Sequence, residues 1–115
     1  MYKIGKIIRF SAAHSLPWLV DSPCRHLHGH NYTVELVLES CELDIHGMVQ
    51  DFFTLSDVET IVQEKLDHTF LNEIIHNSTA ENIAKYIFDC AIRNHPNLVS
   101  VKVWETDDCW GEYTK

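Results

Sequence analysis

A thiol and three imidazoles lie within the seven residues from Cys24 to His30. Two of the imidazoles, those of His28 and His30, are separated by one glycine. In a β-strand, alternate side chains point to the same face, about 6.6 Å apart at the backbone. Neutral imidazole is a good zinc ligand, and three histidines with one open position are typical of catalytic zinc. Partly buried histidines held only by hydrogen bonds would show the same spacing, so the pair alone leaves both interpretations open.

A third histidine is brought to this pair by strand alternation. Residues 2–14 alternate apolar and polar side chains with a period of two, which indicates a strand, and His14 ends its apolar face. A second predicted strand begins at His28 and carries His28 and His30 on its own apolar face. If the two strands pair in antiparallel fashion, the end of the first lies beside the start of the second. The sequence therefore predicts a Zn²⁺ site formed by His14, His28 and His30.

Cys24 lies in the connection between these strands, residues 15–27, which contains Pro17 and Pro23 and is predicted to be a loop. A free cysteine is usually a small buried apolar residue. A nearby cation would lower the pKa of the thiol and populate the thiolate, which makes Cys24 a candidate for acid–base chemistry as well. The four cysteines of the chain are scattered and form no CxxC pair, so free thiols are expected.

Two later segments carry further candidates for chemistry. Asp67 and His68 follow the first predicted helix, where the histidine either favours the helix dipole or transfers protons beside the carboxylate. Glu105 falls on the apolar face of a predicted strand, where a carboxylate requires a partner. That partner is either a lysine or an amidine-like edge such as that of an aminopyrimidine.

Two helices are predicted between the second and third strands. The first spans about residues 55–66, with Ser56 and Glu59 resembling a capping box. The second follows a cap formed by Ser78 and Glu81. Its nearly complete apolar stripe consists of Ala80, Ile83, Ala84, Ile87, Phe88, Ala91 and Ile92.

A third strand is predicted over residues 98–106, with Val99, Val101 and Val103 on the same face as Glu105. The tail after it can add a short fourth strand. The order ββααββ predicts one α+β domain over residues 1–115, with an antiparallel sheet and both helices on one face. Such a sheet has two free edges, which favours oligomerisation into a larger barrel.

The composition and net charge limit the kinds of partner that the protein can be expected to bind. The chain has 115 residues, of which 45% are hydrophobic and 23% charged, as expected of one globular domain. Its net charge of −8 argues against binding to nucleic acid or to an anionic membrane. No apolar run is long enough for a membrane span or the core of a signal peptide, so a cytoplasmic location is expected.

Six motifs follow one another along the chain: Phe10-Ser-Ala-Ala-His14, Cys24-x-x-x-His28-Gly-His30-Asn-Tyr32, Gly47-Met-Val-x-Asp51-Phe52, Leu66-Asp-His68, Ser78-Thr-Ala-Glu-Asn82 and Val103-Trp-Glu-Thr106. In these motifs and their order, the chain resembles the 6-pyruvoyltetrahydropterin synthase family over nearly its whole length. This family includes the 6-carboxytetrahydropterin synthases of queuosine biosynthesis.

The resemblance implies the tunnelling fold, in which subunits form trimeric barrels and two trimers stack into a homohexamer. It implies zinc on the three histidines, Cys24 as a general base, and Asp67 with His68 as a second proton-transfer pair. It also implies that Glu105 anchors the pterin ring. The further substrate-binding candidates are Thr79, Glu81 and Thr106. Asp51 matches a motif position and is interpreted as structural.

The implied substrate is 7,8-dihydroneopterin triphosphate. The segment around Cys24 resembles the bacterial queuosine enzymes, which favours a 6-carboxytetrahydropterin product with release of acetaldehyde and triphosphate. One alternative is the 6-pyruvoyltetrahydropterin synthase reaction, which eliminates triphosphate. An alternative of another class is a non-catalytic zinc- or pterin-binding module. Because the net charge is −8, local cations must hold the triphosphate; the candidates are Lys3, Lys6, Arg9, Arg25 and Lys102.

Overall fold

Four antiparallel strands form one sheet in the order β1-β2-β3-β4 in the computed structural model, which describes residues 1–115. The strands are β1 at Tyr2–His14, β2 at His28–Ser40, β3 at Leu98–Trp104 and β4 at Trp110–Thr114. The first strand has its predicted bounds, the second begins where predicted, and the short fourth strand is confirmed. The third strand ends two residues earlier than predicted, so Glu105 lies just beyond it.

The pairing of β1 with β2 is continuous over 13 residues. His14 lies opposite His28, and Ala12 lies opposite His30. The apolar face of this pair forms one wall of the core, in which Phe10 stacks on Tyr32 with the ring centroids 4.7 Å apart. The predicted alternation is therefore correct over the whole of both strands.

The predicted face of β3 is wrong at its start. Leu98 pairs with Leu38 while Ser100 pairs with Val37, so Val99 is an extra residue in the ladder. A bulge of this kind shifts the alternation by one position. Leu98 is consequently buried in place of Val99, whereas Val101 and Val103 face the core as predicted.

The first helix, α1, spans Ser56–Lys65 and is entered through a 3₁₀ turn at Phe52–Leu55. Asp51 caps this turn by accepting a hydrogen bond from the backbone N–H of Phe53 at 2.9 Å, in agreement with its structural interpretation. The predicted capping box of Ser56 with Glu59 is wrong. Helical backbone already precedes Ser56, and the cap residue of α1 makes no side-chain hydrogen bond.

The second helix, α2, spans Ala80–Ala91 and buries its apolar stripe against the sheet. The predicted cap was Ser78 with Glu81, but the cap residue is Thr79, whose hydroxyl accepts from the backbone N–H of Asn82 at 3.3 Å. Ser78 is instead fully buried beside His14. The cap is thus one residue later than predicted, and this shift releases Ser78 to contact the histidine cluster.

The free edge of β1 is partly covered by the segment that follows α1. The backbone N–H of Ala13 donates to the carbonyl of Thr69 at 3.0 Å, and that of His68 donates to the carbonyl of Ser11 at 2.7 Å. The other edge of the sheet is β4. No helix in the structure combines the length and apolar character needed to cross a membrane.

The contact between β4 and the start of α2 gives a prediction about packing. A Cβ atom at Gly111 would lie 2.8 Å from the backbone nitrogen of Glu81 and 3.1 Å from the carbonyl carbon of Ala80. Because overpacking of this kind forces backbone shifts, Gly111→Ala should lower the free energy of unfolding by about 1–3 kcal/mol. Chemical denaturation would measure it.

The matched control is Gly5→Ala, where the nearest atom to the added Cβ is a backbone oxygen at 3.6 Å, an ordinary contact. This variant should be neutral or slightly more stable because alanine restricts the unfolded chain. Equal losses of stability in both variants would contradict the steric explanation.

Candidate metal centre and active site

Three imidazoles converge at the end of the core where β1 finishes and β2 begins. The Nε2 atoms of His14 and His28 are 2.9 Å apart. One nitrogen from each of His14, His28 and His30 can be chosen so that all three lie within 4.8 Å of one another. The convergence predicted from strand alternation is confirmed, and its geometry suits a single metal ion.

Backbone carbonyls fix which nitrogen of two rings faces the centre. Nδ1 of His14 donates to the carbonyl of Ser78 at 2.7 Å, and Nδ1 of His28 donates to the carbonyl of His26 at 2.7 Å. A carbonyl only accepts, so each Nδ1 carries the proton and each neutral ring presents an Nε2 lone pair. Carbonyl partners of this type commonly orient histidines that bind metal.

The facing lone pairs create a demand for positive charge. Two neutral acceptors at 2.9 Å cannot form a hydrogen bond with each other and repel. The repulsion is relieved when one ring takes up a second proton or when a cation binds both nitrogens. A metal ion also suits the third ring, since His30 Nε2 is buried and has no hydrogen-bond partner.

The protonation of His30 is consistent with a ligand role. Burial lowers the pKa of His30, and the neighbouring His14 and His28 lower it further, while the carboxylate of Glu105 opposes the shift. The neutral ring, which is the form that binds metals, is therefore favoured to a lower pH than in a solvated histidine. Three buried or half-buried imidazoles, one of which has a buried nitrogen without a partner, therefore fit a bound metal.

Glu105 is the carboxylate nearest to this cluster. Its Oε2 lies 3.7 Å from Nε2 of His30, beyond hydrogen-bond distance but within reach of an ion pair. No lysine pairs with Glu105, so the alternative that it serves a lysine is wrong. The side chain is about three-quarters buried, and the imidazole of His30 is the only basic group within ion-pair distance of its carboxylate.

Asp67 and His68 are both held against β1. Oδ1 of Asp67 accepts from the backbone N–H of Ser11 at 2.9 Å, while Oδ2 lies 3.6 Å from Nε2 of His68. The His68 side chain is 84% exposed and its backbone has φ of 57°, in the left-handed region. His68 lies beyond the end of α1, so its position depends on the strand edge and not on the helix terminus.

A cavity of about 470 Å³ is lined by His68 together with Ser11, Gly29, His30 and Asn31. Ser11, Gly29 and Asn31 belong to the face of the sheet opposite the three imidazoles, because they alternate with the cluster residues along β1 and β2. This cavity therefore does not join His68 to the imidazole cluster within one chain.

Cys24 lies in a 3₁₀ turn at Pro23–Arg25 and is half-buried. The carbonyl of Cys24 accepts from the backbone N–H of Leu16 at 2.9 Å, which ties the loop to the chain just after His14. Its thiol does not belong to the group of converging ligand atoms. The loop is as predicted, and the role of Cys24 as a base stays a prediction.

The remaining substrate-binding candidates have local structural contacts. The hydroxyl of Thr79 caps α2, and that of Thr106 accepts from the backbone N–H of Asp108 at 3.2 Å in the turn before β4. Glu81 lies in the first turn of α2 beside Gly111. No hydrogen bond or ion pair joins these residues to Glu105, and their part in binding stays a prediction.

Three of the candidate cations already have carboxylate partners. Lys3 pairs with Glu39 at 3.2 Å, Lys6 with Glu59 at 3.7 Å, and Lys102 with Glu35 at 4.0 Å. The two candidates without a carboxylate within ion-pair distance are Arg9 and Arg25. Arg9 also lines a cavity of about 450 Å³ together with Asp67.

Sequence reasoning missed three contributors to the site. Ser78 and His26 orient metal-site histidines through their backbone carbonyls, which every residue type possesses, so no sequence signal identifies them. Tyr32 could have been found, since it follows His28 and His30 on the same face of β2. It is 1% exposed, and its ring centroid is 5.4 Å from that of His30.

The geometry predicts one metal ion per chain, lost on removal of a ligand. We expect His28→Ala to abolish tight binding of a divalent metal, because two remaining nitrogens do not complete a three-histidine site. Metal content after reconstitution and gel filtration would be measured by mass spectrometry. His46→Ala is the matched control, since His46 lies in an exposed connector; equal metal content in the two variants would exclude the cluster as the site.

Comparisons with known proteins show which family the chain belongs to. The sequence model of 6-pyruvoyl tetrahydropterin synthase matches residues 3–115. A relative from Archaeoglobus fulgidus, provisionally assigned as a 6-carboxy-5,6,7,8-tetrahydropterin synthase, is 42% identical over 95% of this chain and 92% of its own length. Relatives from Bacillus subtilis and Haemophilus influenzae are named 6-carboxy-5,6,7,8-tetrahydropterin synthases.

A second activity occurs among the similar proteins. The dihydroneopterin monophosphate aldolase of Pyrococcus furiosus is 37% identical over 86% of this chain and 85% of its own length. The structure of 6-pyruvoyl tetrahydropterin synthase from Caenorhabditis elegans superimposes with a TM-score of 0.87, at 30% identity, covering 99% of this chain and 95% of that one. The chain therefore belongs to the 6-pyruvoyl tetrahydropterin synthase family and has its tunnelling fold.

Proposed function

We propose that this protein is a zinc-dependent 6-carboxy-5,6,7,8-tetrahydropterin synthase of queuosine biosynthesis. It would convert 7,8-dihydroneopterin triphosphate to 6-carboxytetrahydropterin, acetaldehyde and triphosphate. The observation that carries the proposal is the convergence of three imidazoles, in which Nε2 of His14 and Nε2 of His28 are 2.9 Å apart while a backbone carbonyl holds Nδ1 of each ring, an arrangement that suits a bound cation. The names of the similar proteins from A. fulgidus and B. subtilis support the choice of reaction.

Zinc would be held by His14, His28 and His30, which leaves one coordination position open. When bound, it supplies Lewis acidity, which makes the C–H and O–H bonds of the pterin side chain easier to deprotonate. The protein fixes the imidazole rings beforehand through the carbonyls of Ser78 and His26.

Proton transfers fall to groups on two sides of this centre. The thiolate of Cys24 would remove a proton from the substrate side chain, with its loop held near His14 by the hydrogen bond to Leu16. His68 would move a second proton, oriented by the carboxylate of Asp67 at 3.6 Å. The exposure of the His68 ring supports this role, because it allows proton exchange with solvent.

Glu105 would anchor the pterin by accepting two hydrogen bonds from its aminopyrimidine edge. The proposal is supported by the partly buried carboxylate beside His30, which has no lysine partner. Thr79, Glu81 and Thr106 would be its substrate-binding neighbours. Because the first and last strands are free edges, we further propose the homohexamer, in which neighbouring chains would complete each site.

The polyanionic substrate requires local positive charge. Arg9 and Arg25 are the candidates with no carboxylate within ion-pair distance, and Arg9 lies on a cavity that Asp67 and Asp107 also line. A triphosphate bound there would be held by charge-assisted hydrogen bonds. This local attraction must exceed the repulsion from a net charge of −8.

Product analysis tests the reaction directly. Zinc-loaded protein incubated with 7,8-dihydroneopterin triphosphate should release acetaldehyde and form 6-carboxytetrahydropterin, both identified by mass spectrometry. A pyruvoyl product without acetaldehyde would assign the other synthase reaction. Turnover of dihydroneopterin monophosphate alone would favour the aldolase found in P. furiosus. Absence of turnover with bound zinc would support a non-catalytic binding module.

Removal of the proposed base should separate chemistry from metal binding. We expect Cys24→Ala to retain zinc, because the thiol lies outside the ligand group, and to lose at least about 100-fold in kcat, the usual contribution of a general base. Cys90→Ala on α2 is the control and should resemble the wild type. Normal turnover by Cys24→Ala would contradict the role of the thiol.

His68 can be tested without loss of stability. His68→Asn keeps a residue that tolerates the left-handed backbone and removes the imidazole, whose ring makes no buried contact. We expect unchanged thermal unfolding and a fall in kcat of about 100-fold. A variant that turns over like the wild type would exclude proton transfer by His68.

A further inference from the structure

Two buried polar atoms of the site have no hydrogen-bond partner: Nε2 of His30 and the hydroxyl of Tyr32. A buried, unpaired polar group destabilises a protein, so each such group requires an explanation. A metal ion on His30 accounts for the first. The hydroxyl of Tyr32 stays without a partner, and no part of the mechanism above uses it.

Tyr32 is held rigidly where it meets the metal site. Its ring stacks on Phe10 at an interplanar angle of 9°, and the rings of His14 and His30 approach it edge-on with centroids at 6.0 and 5.4 Å. With 1% of its surface exposed, the side chain has no access to solvent. The hydroxyl therefore needs its partner from within the site.

Glu105 is the carboxylate beside both orphaned atoms. Its Oε2 lies 3.7 Å from His30 Nε2, and the pairing of Thr33 with Trp104 places Glu105 across from Tyr32, one position beyond the last pair of β2 with β3. A tyrosine hydroxyl donates to a carboxylate, which only accepts. When a metal ion binds His30 Nε2, this nitrogen can no longer donate a hydrogen bond to the Glu105 carboxylate. The hydroxyl of Tyr32 is then the nearby donor that has no partner.

We propose that Tyr32 is the positioning residue for Glu105: in the metal-loaded protein its hydroxyl donates a hydrogen bond to the Glu105 carboxylate. This bond would hold one carboxylate oxygen and orient the group toward the aminopyrimidine edge of the pterin. The proposal rests on the function proposed above, in which Glu105 anchors the substrate. It assigns to Tyr32 an effect on binding that is exerted through Glu105.

A thermodynamic cycle between metal loading and two substitutions tests this pairing. The melting temperatures of wild type, Tyr32→Phe, Glu105→Met and the double variant are measured with Zn²⁺ and without metal. Tyr32→Phe should leave the metal-free protein unchanged or more stable, since its hydroxyl is unpaired there. It should lower the melting temperature of the zinc-loaded protein by about 5 °C, the effect of one hydrogen bond in a small domain.

The zinc-dependent loss of melting temperature caused by Tyr32→Phe should disappear in the Glu105→Met variant, because the effects of substitutions at two interacting residues are not additive. Tyr2→Phe, which removes an exposed hydroxyl far along β1, is the control and should change neither form. An equal effect of Tyr32→Phe in both forms, or a loss that persists with Glu105→Met, would overturn the pairing. If the wild type binds no zinc, the proposed function itself fails.

Turnover supplies a second readout. Because Tyr32 acts on a substrate anchor, Tyr32→Phe should raise KM for 7,8-dihydroneopterin triphosphate by roughly three- to tenfold with kcat nearly unchanged. A fall in kcat at constant KM would contradict a positioning role and place the hydroxyl in the chemistry.

Discussion

The antiparallel pairing of β1 with β2 is the constraint on which both the core and the candidate site depend. Its register places His14 opposite His28 and next to His30 across the strand pair. A slip of one residue would turn every side chain of a strand to the other face of the sheet. Such a slip would expose Phe10 and separate the imidazoles at once, so the hydrophobic pattern that stabilises the sheet also fixes the geometry of the three imidazoles.

The candidate site contains polar groups whose burial in the apolar core destabilises the protein unless they are paired. His14 is fully buried and Tyr32 is nearly so, and two of the polar atoms around them are unpaired. Burial lowers the pKa of His30 and so favours its neutral, metal-binding form. A bound cation would give the imidazole nitrogens a partner, and stability and function would then depend on the same ion.

The second half of the site is assembled by an edge strand. The segment after α1 bonds to Ser11 and Ala13 of β1 and so covers part of an otherwise free edge. The same bonds hold Asp67 and His68 against β1, near the end of the strand that carries His14. Coverage of the edge and the position of this candidate proton-transfer pair thus follow from one set of contacts.

Much of this arrangement was determined by the sequence alone, because side-chain alternation and the helical stripe are local properties. The bounds of β1, the parity of His28 and His30, and the buried face of α2 follow from neighbouring residues. The residue pattern alone singled out Asp67, His68 and Glu105 as candidates, and the family motifs gave them roles by resemblance. The contacts of Asp67 with β1 and of Glu105 with His30 were not contained in the local pattern.

Only the tertiary structure decided the features that depend on distant partners. The bulge at Val99 arises from pairing with β2, and it reverses the face expected at the start of β3. Thr79 replaces Ser78 as the cap, while the carbonyl of Ser78 orients His14 across 64 positions of the chain. The hydroxyl of Tyr32 acquires significance only once its neighbours are known, because the cost of an unpaired polar atom is set by burial, which no local pattern specifies.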